Sequence, residues 1–225
     1  MLKFKCFIEG VAEKMPIIPT KEHSFEWFQK AREFYSQNKH LDFQTTRCPG
    51  IASIFTKGWI QKSYQDFVIK TNGDEESFAW ESEIDQHIEV KGIFFGDYVS
   101  FHSADQLADF KKFPPGTLKT MIKIHSPWFV EIPKGYSLLV MPVPYSDESR
   151  FTAATGILKG NQFLNVQLYW HCLNSTEVVK AGTPLNQMLL IKDDVIAYDI
   201  ETIEDASDYL REKWNLDAYR LRETL

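Results

Sequence analysis

Residues 163–172, FLNVQLYWHC, alternate between apolar and polar side chains along their whole length. Successive side chains of a β-strand point to opposite faces of its sheet, so this alternation predicts a strand with one buried and one half-polar face. The buried face consists of Leu164, Val166, Leu168, Trp170 and Cys172. The half-polar face consists of Asn165, Gln167, Tyr169 and His171.

Short apolar runs separated by turn residues lie on both sides of this strand. They are residues 120–124, 128–132, 136–143, 176–180, 187–191 and 195–198. Glycine and proline punctuate them at residues 133–135 and 182–184, where glycine accepts positive φ and proline stops a central strand. Short strands at regular intervals are typical of a sandwich or a barrel. The pattern predicts a mainly β protein of the α+β class, with a barrel or sandwich in its C-terminal half.

The N-terminal half combines a helix with further strands. Residues 2–8 alternate like a short strand, and Ser24 is placed to cap a helix that runs to about Asn38. Asn72-Gly73 is the sequence of a two-residue type I′ turn. It predicts a hairpin whose return strand is residues 77–80.

Pro114-Pro115-Gly116 is the clearest break in the chain, and it separates an α+β segment, residues 1–116, from residues 117–225. We expect the two segments to pack as one compact unit, because no linker is long enough to separate independent domains. A helix is predicted near the end of the chain, capped by Thr202, with an apolar stripe that docks on the body. The stripe consists of Ile203, Ala206, Leu210 and Trp214.

The composition excludes several classes of protein. The chain is 44% hydrophobic and carries 17 Phe, 9 Tyr and 6 Trp, which is more apolar area than a disordered chain contains. It has 25 Lys and Arg against 31 Asp and Glu, a formal net charge of −6. Binding to a phosphate backbone normally needs a basic excess, so we expect no nucleic-acid partner.

The cysteines and the hydropathy pattern bear on the compartment. Cys6, Cys48 and Cys172 are widely spaced and form no CxxC pair, as expected of free thiols in a reducing compartment. No apolar run reaches the roughly 18–20 residues that span a bilayer, and the first residues lack the apolar core of a signal peptide. We therefore expect a soluble cytoplasmic protein without a membrane partner.

One short motif leaves a metal site open. His40-Leu41-Asp42 matches the His-x-Asp pair of non-haem iron oxygenases, which use two histidines and one carboxylate. His87, His102 or His125 could supply the second histidine, but no spacing singles one out. Because such short matches are common by chance, we predict no metal site and keep the iron oxygenase as an alternative.

Nucleophilic side chains give no clear catalytic pattern. Cys48 precedes Pro49 at a plausible helix start, where a thiol can be reactive, but we favour the interpretation as a structural turn cysteine. Ser126 follows His125, but neighbours on a strand point to opposite faces, so we predict no Ser–His couple. The chain has no GxSxG, Walker or Rossmann motif. We assign no catalytic residue from the sequence.

Three groups of residues in the C-terminal half carry a resemblance to a known family. They are Pro133, Gly135 and Tyr136 in a turn entering a strand, Gly156 and Ile157 in a hairpin, and Lys180, Gly182 and Gln187 at a turn before another strand. Residues 133–192 thereby resemble the central part of the trimeric dUTPase and dCTP deaminase group. The resemblance implies a β-clip fold for this half, a homotrimer, and sites shared between subunits.

The departures from that group concern its chemistry. Leu158-Lys159 stands where the group has its catalytic aspartate, and a lysine ammonium cannot act as a carboxylate base. The arginine–serine phosphate motif expected after the Tyr136 strand is replaced by residues 145–150, YSDESR, and the glycine-rich C-terminal arm is missing. We expect no inherited dUTPase activity and no cofactor, and we lean against an enzyme.

A second resemblance covers nearly the whole chain. Its motifs are Cys48-Pro49, Gly58-Trp59-Ile60, residues 78–80 (FAW), residues 124–128 (IHSPW), residues 133–136 (PKGY) and residues 181–184 (AGTP). The layout is similar to a family of uncharacterised proteins from tailed phages, particularly of marine cyanobacteria, with distant bacterial relatives. These motifs set turns and packing, so the resemblance implies an architecture, and a location in the host cytoplasm or the virion, but no activity.

If the β-clip prediction holds, several polar residues converge on one pocket. The predicted pocket residues are Asp147, Arg150, Lys159, Gln167, Tyr169, His171 and Gln187. The favoured function is a non-enzymatic binding or virion-associated protein with a small-molecule or nucleotide ligand. The alternative is a nucleotide-binding or nucleotide-processing enzyme with altered chemistry, and an ordinary polar surface or subunit interface would give the same pattern.

Overall fold

The computed structural model describes residues 1–38, 46, 48–82, 89–90, 93–94, 97–107, 111–194, 197, 199–200 and 207. Strands dominate the described residues, which confirms the predicted mainly β class. The strands are β1 (Lys3–Cys6), β2 (Ile18–Pro19), β3 (Trp59–Lys62), β4 (Phe67–Thr71), β5 (Phe78–Ser82), β6 (Glu89–Val90), β7 (Ile93–Phe94), β8 (Val99–His102), β9 (Met121–Ile124), β10 (Trp128–Glu131), β11 (Tyr136–Met141), β12 (Phe151–Ala153), β13 (Gly156–Leu158), β14 (Asn161–Phe163), β15 (Val166–Trp170), β16 (Thr176–Val179) and β17 (Pro184–Lys192). The helices are α1 (Val11–Lys14), α2 (Glu26–Gln37), α3 (Pro49–Ile54) and α4 (Ala104–Leu107), with a 3₁₀ turn at Thr20–Glu22.

Residues 163–172, predicted as one strand, are divided: Phe163 ends β14, and Val166–Trp170 form β15 in an antiparallel sheet of order β12-β15-β9-β8. Leu168 and Trp170 are fully buried, whereas Gln167 and Tyr169 between them are half-buried, which confirms the predicted alternation. The inner face packs with Phe67 of β4, in the sheet β16-β4-β5, to form one hydrophobic cluster. Thr152, Gln167 and Tyr169 are consequently left on the outer side.

A second pair of sheets supplies another cluster. The sheet β13-β11-β17-β3-β2 packs its Leu138 and Met188 with Trp128 and Val130 of the sheet β1-β10-β14. Each strand order runs from one edge strand to another, so the described residues form open sheets and not a closed barrel. The prediction left a barrel and a sandwich open. The structure has packed open sheets, as a sandwich does.

Gly58 shows how closely the chain approaches itself at the start of β3. Its φ is 80°, and a Cβ built there would lie 2.0 Å from the carbonyl oxygen of Met188. Backbone cannot yield in the way that the end of a side chain can, so only glycine fits this position. The contact fixes the turn that leads from α3 into the five-stranded sheet.

The hairpin predicted from Asn72-Gly73 is present, but its turn is longer than predicted. Strands β4 and β5 are antiparallel with Thr71 opposite Phe78, so residues 72–77 form the loop. Within it, Asp74 accepts a backbone hydrogen bond from Ser77 at 2.7 Å through its Oδ1. The short polar side chains close a six-residue loop that a two-residue turn signal did not anticipate.

Helix α2 is also present, but it begins one position later than predicted. Phe25 occupies the position before the helix, and Ser24 does not cap it. The ring of Phe25 is buried and stacks on Phe55 with 4.1 Å between centroids, while Trp27 meets Phe55 edge-on. Burial of these aromatic rings, rather than a side-chain cap, sets the start of the helix.

The chain forms two compact units, Met1–Asp193 and Asp194–Leu225. Within the first unit, strands from residues 1–116 pair with strands from residues 117–225: β3 pairs with β17, and β4 pairs with β16. Hydrogen-bonded sheets therefore join the two segments that the sequence separated at Pro114-Pro115-Gly116. The residues of the predicted terminal helix, Thr202, Ile203, Ala206, Leu210 and Trp214, lie outside the described residues.

Candidate functional site

A cavity of about 190 Å³ lies beside the loop that joins β11 to β12. Its wall combines apolar side chains with a few polar ones. The lining residues are Pro142, Val143, Tyr145, Ser146, Glu148, Phe151, Thr152, Ala153, Pro184 and Leu185. The sequence placed a polar pocket against the loop of residues 145–150, and that loop does line the cavity, but through other side chains than those predicted.

Tyr145, in the loop that joins β11 to β12, has an uncommon backbone conformation. Its φ is 55°, a region that residues other than glycine seldom occupy. The indole Nε1 of Trp27 donates a hydrogen bond to the Tyr145 carbonyl oxygen at 2.8 Å, and the Tyr145 ring contacts Trp27 and Phe55. These contacts fix the backbone, while the side chain stays 56% exposed at the cavity.

Glu148 and Arg150 form the best-defined ion pair of the site. Oε1 of Glu148 accepts Nε and the backbone N–H of Arg150 at 2.8 and 3.0 Å, and Oε2 accepts Nη2 at 2.5 Å. The side chains are only 14% and 24% exposed. Burial raises the pKa of Glu148, but the hydrogen bonds from Arg150 outweigh it and hold that pKa below its usual value. Arg150 also donates through Nη1 to the Val178 carbonyl oxygen, so this side chain is engaged within the protein.

His171 sits between two threonine hydroxyls just beyond β15. Its Nε2 lies 2.7 Å from Oγ1 of Thr152, which lines the cavity, and its Nδ1 lies 3.3 Å from Oγ1 of the buried Thr117. A neutral imidazole has one donor and one acceptor nitrogen, and a hydroxyl can serve either. Burial lowers the pKa of His171, which favours this neutral form. His171 thus contacts the cavity wall indirectly, through Thr152.

The other predicted pocket residues of this region lie near the cavity without lining it. Asp147 is exposed in the loop, and Gln167 lies on the outer face of β15. The hydroxyl of Tyr169 accepts a hydrogen bond from Nζ of Lys111 at 3.0 Å, and the Tyr169 ring contacts Phe113. Gln167 and Tyr169 thus belong to the polar outer surface of the four-stranded sheet.

Lys159 and Gln187 are placed away from this surface. Lys159 lies in the turn between β13 and β14, with Nζ 3.8 Å from a carboxylate oxygen of Asp193. Gln187 is fully buried, and its Nε2 donates to the carbonyl oxygens of Ile54 and Lys57 at 2.8 and 2.9 Å. Gln187 therefore ties β17 to the end of α3. Of the predicted pocket residues, Arg150 and His171 contact residues that line the cavity, whereas Lys159 and Gln187 lie away from it.

Three residues that the sequence did not single out matter most here: Glu148, Thr152 and Thr117. Glu148 lies two positions before Arg150. This spacing can give a local ion pair, so the sequence offered a weak indication of the role of Glu148. Thr152 and Thr117 meet His171 only because β12 pairs with β15 and residue 117 folds back beside that strand. No local sequence pattern predicts such long-range contacts.

The iron-oxygenase motif falls on a part of the chain that the structure does not describe: His40, Asp42 and His87 lie outside the described residues. The described part of the chain contains no group of three or more His, Cys, Asp or Glu that could hold a metal ion. His125 and Ser126 lie between β9 and β10, not on one strand as the prediction assumed, and their side chains have different partners. Nε2 of His125 lies 2.7 Å from Oγ of Ser100, whereas Oγ of Ser126 accepts Nε2 of Gln61 at 2.9 Å.

Two further observations concern the thiols and the membrane. Cys6, Cys48 and Cys172 are free, and burial raises the pKa of Cys6 and of Cys172, which keeps both thiols protonated. Cys48 is exposed and precedes Pro49 at the first turn of α3. Over the described residues, no helix has the length and apolar character needed to cross a membrane.

Comparison with protein-family models finds none that matches this chain. Comparison with the curated proteins finds no match either. The cavity and its hydrogen bonds are accordingly the basis for a functional proposal.

Proposed function

We propose that this protein is a non-enzymatic binding protein that holds a small ligand in the cavity beside the β11–β12 loop. The observation that carries the proposal is a cavity whose wall sets the polar side chains of Tyr145, Ser146, Glu148 and Thr152 among apolar ones. Ligand sites use a few placed polar groups of this kind to orient what they bind. The wall is also preorganised, because Trp27 fixes the backbone at Tyr145, and Oγ of Ser146 accepts the N–H of Glu148 at 3.1 Å.

The chemistry of the titratable groups favours binding over catalysis. The pKa of Glu148 is lowered by Arg150, so its carboxylate is a weak proton acceptor at neutral pH. Thr152 and His171 are within hydrogen-bond distance, but the second ring nitrogen of His171 faces the hydroxyl of Thr117. A neutral hydroxyl stabilises an imidazolium far less than the carboxylate of a catalytic triad does. Neither group is set up as an efficient general base.

The alternative of a nucleotide ligand has less support from the geometry. Pockets that hold drug-sized ligands have volumes of roughly 300–1,000 Å³, so a cavity of about 190 Å³ suits a fragment smaller than a nucleotide. Arg150, the basic side chain within the loop, donates its hydrogen bonds to Glu148 and to Val178. A phosphate would have to break that pair before Arg150 could bind it.

The location and assembly of the protein follow from the resemblances and remain proposals. Similarity to phage-encoded proteins supports a binding role in the host cytoplasm or in the virion. Similarity to the dUTPase group supports a homotrimer, which light scattering of the purified protein tests by its mass. A monomeric mass would reject the trimer and leave the binding proposal standing, because the cavity is built from one chain.

A fragment screen by NMR on isotope-labelled protein tests the binding proposal. We expect at least one small-fragment class to shift the amide signals of Ser146 and Thr152 at millimolar concentration. Ser146→Tyr, which fills the cavity, should abolish these shifts. Ser149→Tyr is the matched control, because Ser149 is exposed in the same loop and does not line the cavity. Fragment binding that survives Ser146→Tyr would contradict the assigned site, and a screen without any binder would contradict the function.

A turnover assay addresses the non-enzymatic part of the proposal. Purified protein is incubated with deoxynucleoside triphosphates and Mg²⁺, and the products are separated by chromatography. We expect no hydrolysis above the protein-free background. Hydrolysis that disappears in Lys159→Ala would overturn the proposal and support a nucleotide-processing enzyme.

A further inference from the structure

We infer that the ligand of this cavity is a small organic cation, an alkylammonium or guanidinium group on a short apolar stem. This inference rests on the proposed function and specifies its ligand. The polar side chains that line the cavity are Tyr145, Ser146, Glu148 and Thr152. All four can accept a hydrogen bond, and no Lys, Arg or His is among the described residues that line it. Such a wall suits a ligand that donates.

Glu148 is the carboxylate among the described residues that line the cavity. Arg150 donates to it through its backbone N–H, Nε and Nη2, and the backbone N–H of Ser149 also stabilises its charged form. Oε1 accepts two of the hydrogen bonds from Arg150 and Oε2 accepts one. A carboxylate that is already oriented by Arg150 loses little freedom when it binds a second cation. Arg150 therefore holds the Glu148 carboxylate in place as an acceptor.

The aromatic ring of Tyr145 provides the second feature that a cation uses. A cation over the face of an aromatic ring is attracted by the ring's quadrupole. Tyr145 is 56% exposed at the cavity, while its backbone is held by Trp27. Pro142 and Pro184, which are partly exposed at the cavity, provide apolar surface for the stem. The combination of one carboxylate, one ring and an apolar wall matches a cation with a hydrocarbon body.

Charged side chains of both signs stand around the cavity loop. Arg150 interacts with the carboxylates of Glu148 and Glu177, and Lys30 interacts with that of Asp147. The chain as a whole carries a formal charge of −6, which attracts cations at long range. An anionic fragment would meet a carboxylate in the wall.

Two sources could present this chemistry: a free amine in solution, or a Lys or Arg side chain of another protein. Calorimetry and NMR on the intact protein compare both. The free probes are 1-butylamine and methylguanidinium, and the peptide probes are blocked Gly-Lys-Gly and Gly-Arg-Gly. Butyrate and 1-butanol serve as the anionic and neutral probes of similar size. Binding of the free probes identifies a free amine as sufficient, and binding of only the peptides identifies a protein partner.

The variants test the two contacts separately. Glu148→Gln should weaken binding of the cations about tenfold or more, since hydrogen bonds to charged groups are the strong ones. Tyr145→Leu should weaken it about three- to fivefold through loss of the ring. Glu131→Gln and Tyr136→Leu are matched controls, because Glu131 is an ion-paired carboxylate and Tyr136 a partly exposed tyrosine on other strands. The controls should bind like the unchanged protein.

Each result decides between the two proposals. Cation binding at Ser146 and Thr152 that falls in both test variants supports the inference. Binding of butyrate or 1-butanol at the same signals, equal to or tighter than the cations, overturns the inference and leaves the binding function standing. Absence of any probe binding at these signals overturns both. If Glu148→Gln fails to fold, Tyr145→Leu and the ranking of the three probe charges still decide the outcome.

Discussion

Replacement of Arg150 by methionine tests the central ion pair directly. Methionine keeps much of the length and apolar stem of arginine but removes the guanidinium that donates to Glu148 and to Val178. The Glu148 side chain is 14% exposed, so water reaches its carboxylate only in part. Arg150→Met therefore leaves a largely buried charge without its partner, which is one of the few single changes that costs a protein several kcal/mol.

The size of the effect follows from the burial of the pair. Removal of one partner from a fully buried pair costs about 3–5 kcal/mol. The Arg150 and Glu148 side chains remain 24% and 14% exposed, so solvent recovers part of this cost. We expect a loss of about 2 kcal/mol at neutral pH. In a chain of this size that corresponds to a fall in Tm of about 4–8 °C.

The pH dependence identifies the cause. In the unchanged protein the pKa of Glu148 is lowered, so the pair stabilises the fold above the ordinary carboxyl pKa and loses this effect as pH falls through the folded value. Without the guanidinium, only the backbone donors still oppose the effect of burial, so the pKa of Glu148 is higher than in the unchanged protein, and the variant is penalised only where that carboxylate is ionised. The difference in unfolding free energy between the two proteins should therefore shrink between about pH 7 and about pH 4.5.

Urea unfolding followed by tryptophan fluorescence at several pH values measures this difference. Lys5→Met is the control, because the Lys5–Glu131 pair is exposed and such pairs contribute little. Its unfolding midpoint should not change. A penalty for Arg150→Met that is the same at neutral and acidic pH would refute the reasoning, since the ionised Glu148 could not then be its source. A negligible penalty at all pH values would show that the pair does not stabilise the loop.

Three further changes test the fold by the same urea assay. Gln187→Leu should cost about 1–2 kcal/mol, because two backbone carbonyl groups at the end of α3 lose their donor, and an unchanged stability would contradict that role. Gly58→Ala should be far more harmful than Gly135→Ala: both glycines have φ of 80°, but an added Cβ meets the Met188 carbonyl oxygen at 2.0 Å in one case and nothing within 4 Å in the other. Equal costs would mean that backbone strain, about 1–2 kcal/mol, is the whole effect. Leu168→Ala, in the fully buried face of β15, should cost about 2–5 kcal/mol, and a smaller loss would place that face outside the core.

The strands were predictable where local chemistry decides them. The alternation of residues 163–172 gave the right faces for Leu168 and Trp170, because a strand with one buried face imposes a period of two on its sequence. The hairpin between β4 and β5 was also predictable, because Asn72 and Gly73 disfavour the continuation of a strand. The length of its loop was not, because Asp74 binds a backbone N–H three residues on and stabilises a longer turn.

The partners of the candidate site were less predictable, because they are joined by strand pairing. Thr152 reaches His171 through the register of β12 on β15, and Thr117 reaches it from the segment before β9. Gln187 was predicted in the pocket from its polarity, yet it is buried against the end of α3. Polarity marks a residue as a candidate but does not say whether its hydrogen bonds are made to a ligand or to the backbone.

Arg150 shows why this distinction decides the chemistry of the ligand. In the sequence, Arg150 was one of the predicted pocket residues and had no role of its own, while the nucleotide alternative came from the resemblance to the dUTPase group. In the structure the same side chain donates to Glu148 and to Val178, and Glu148 is the member of this ion pair that lines the cavity. The lining residue of the pair is consequently an acceptor. The proposed ligand is therefore a cation, and the probe of opposite charge should bind worst.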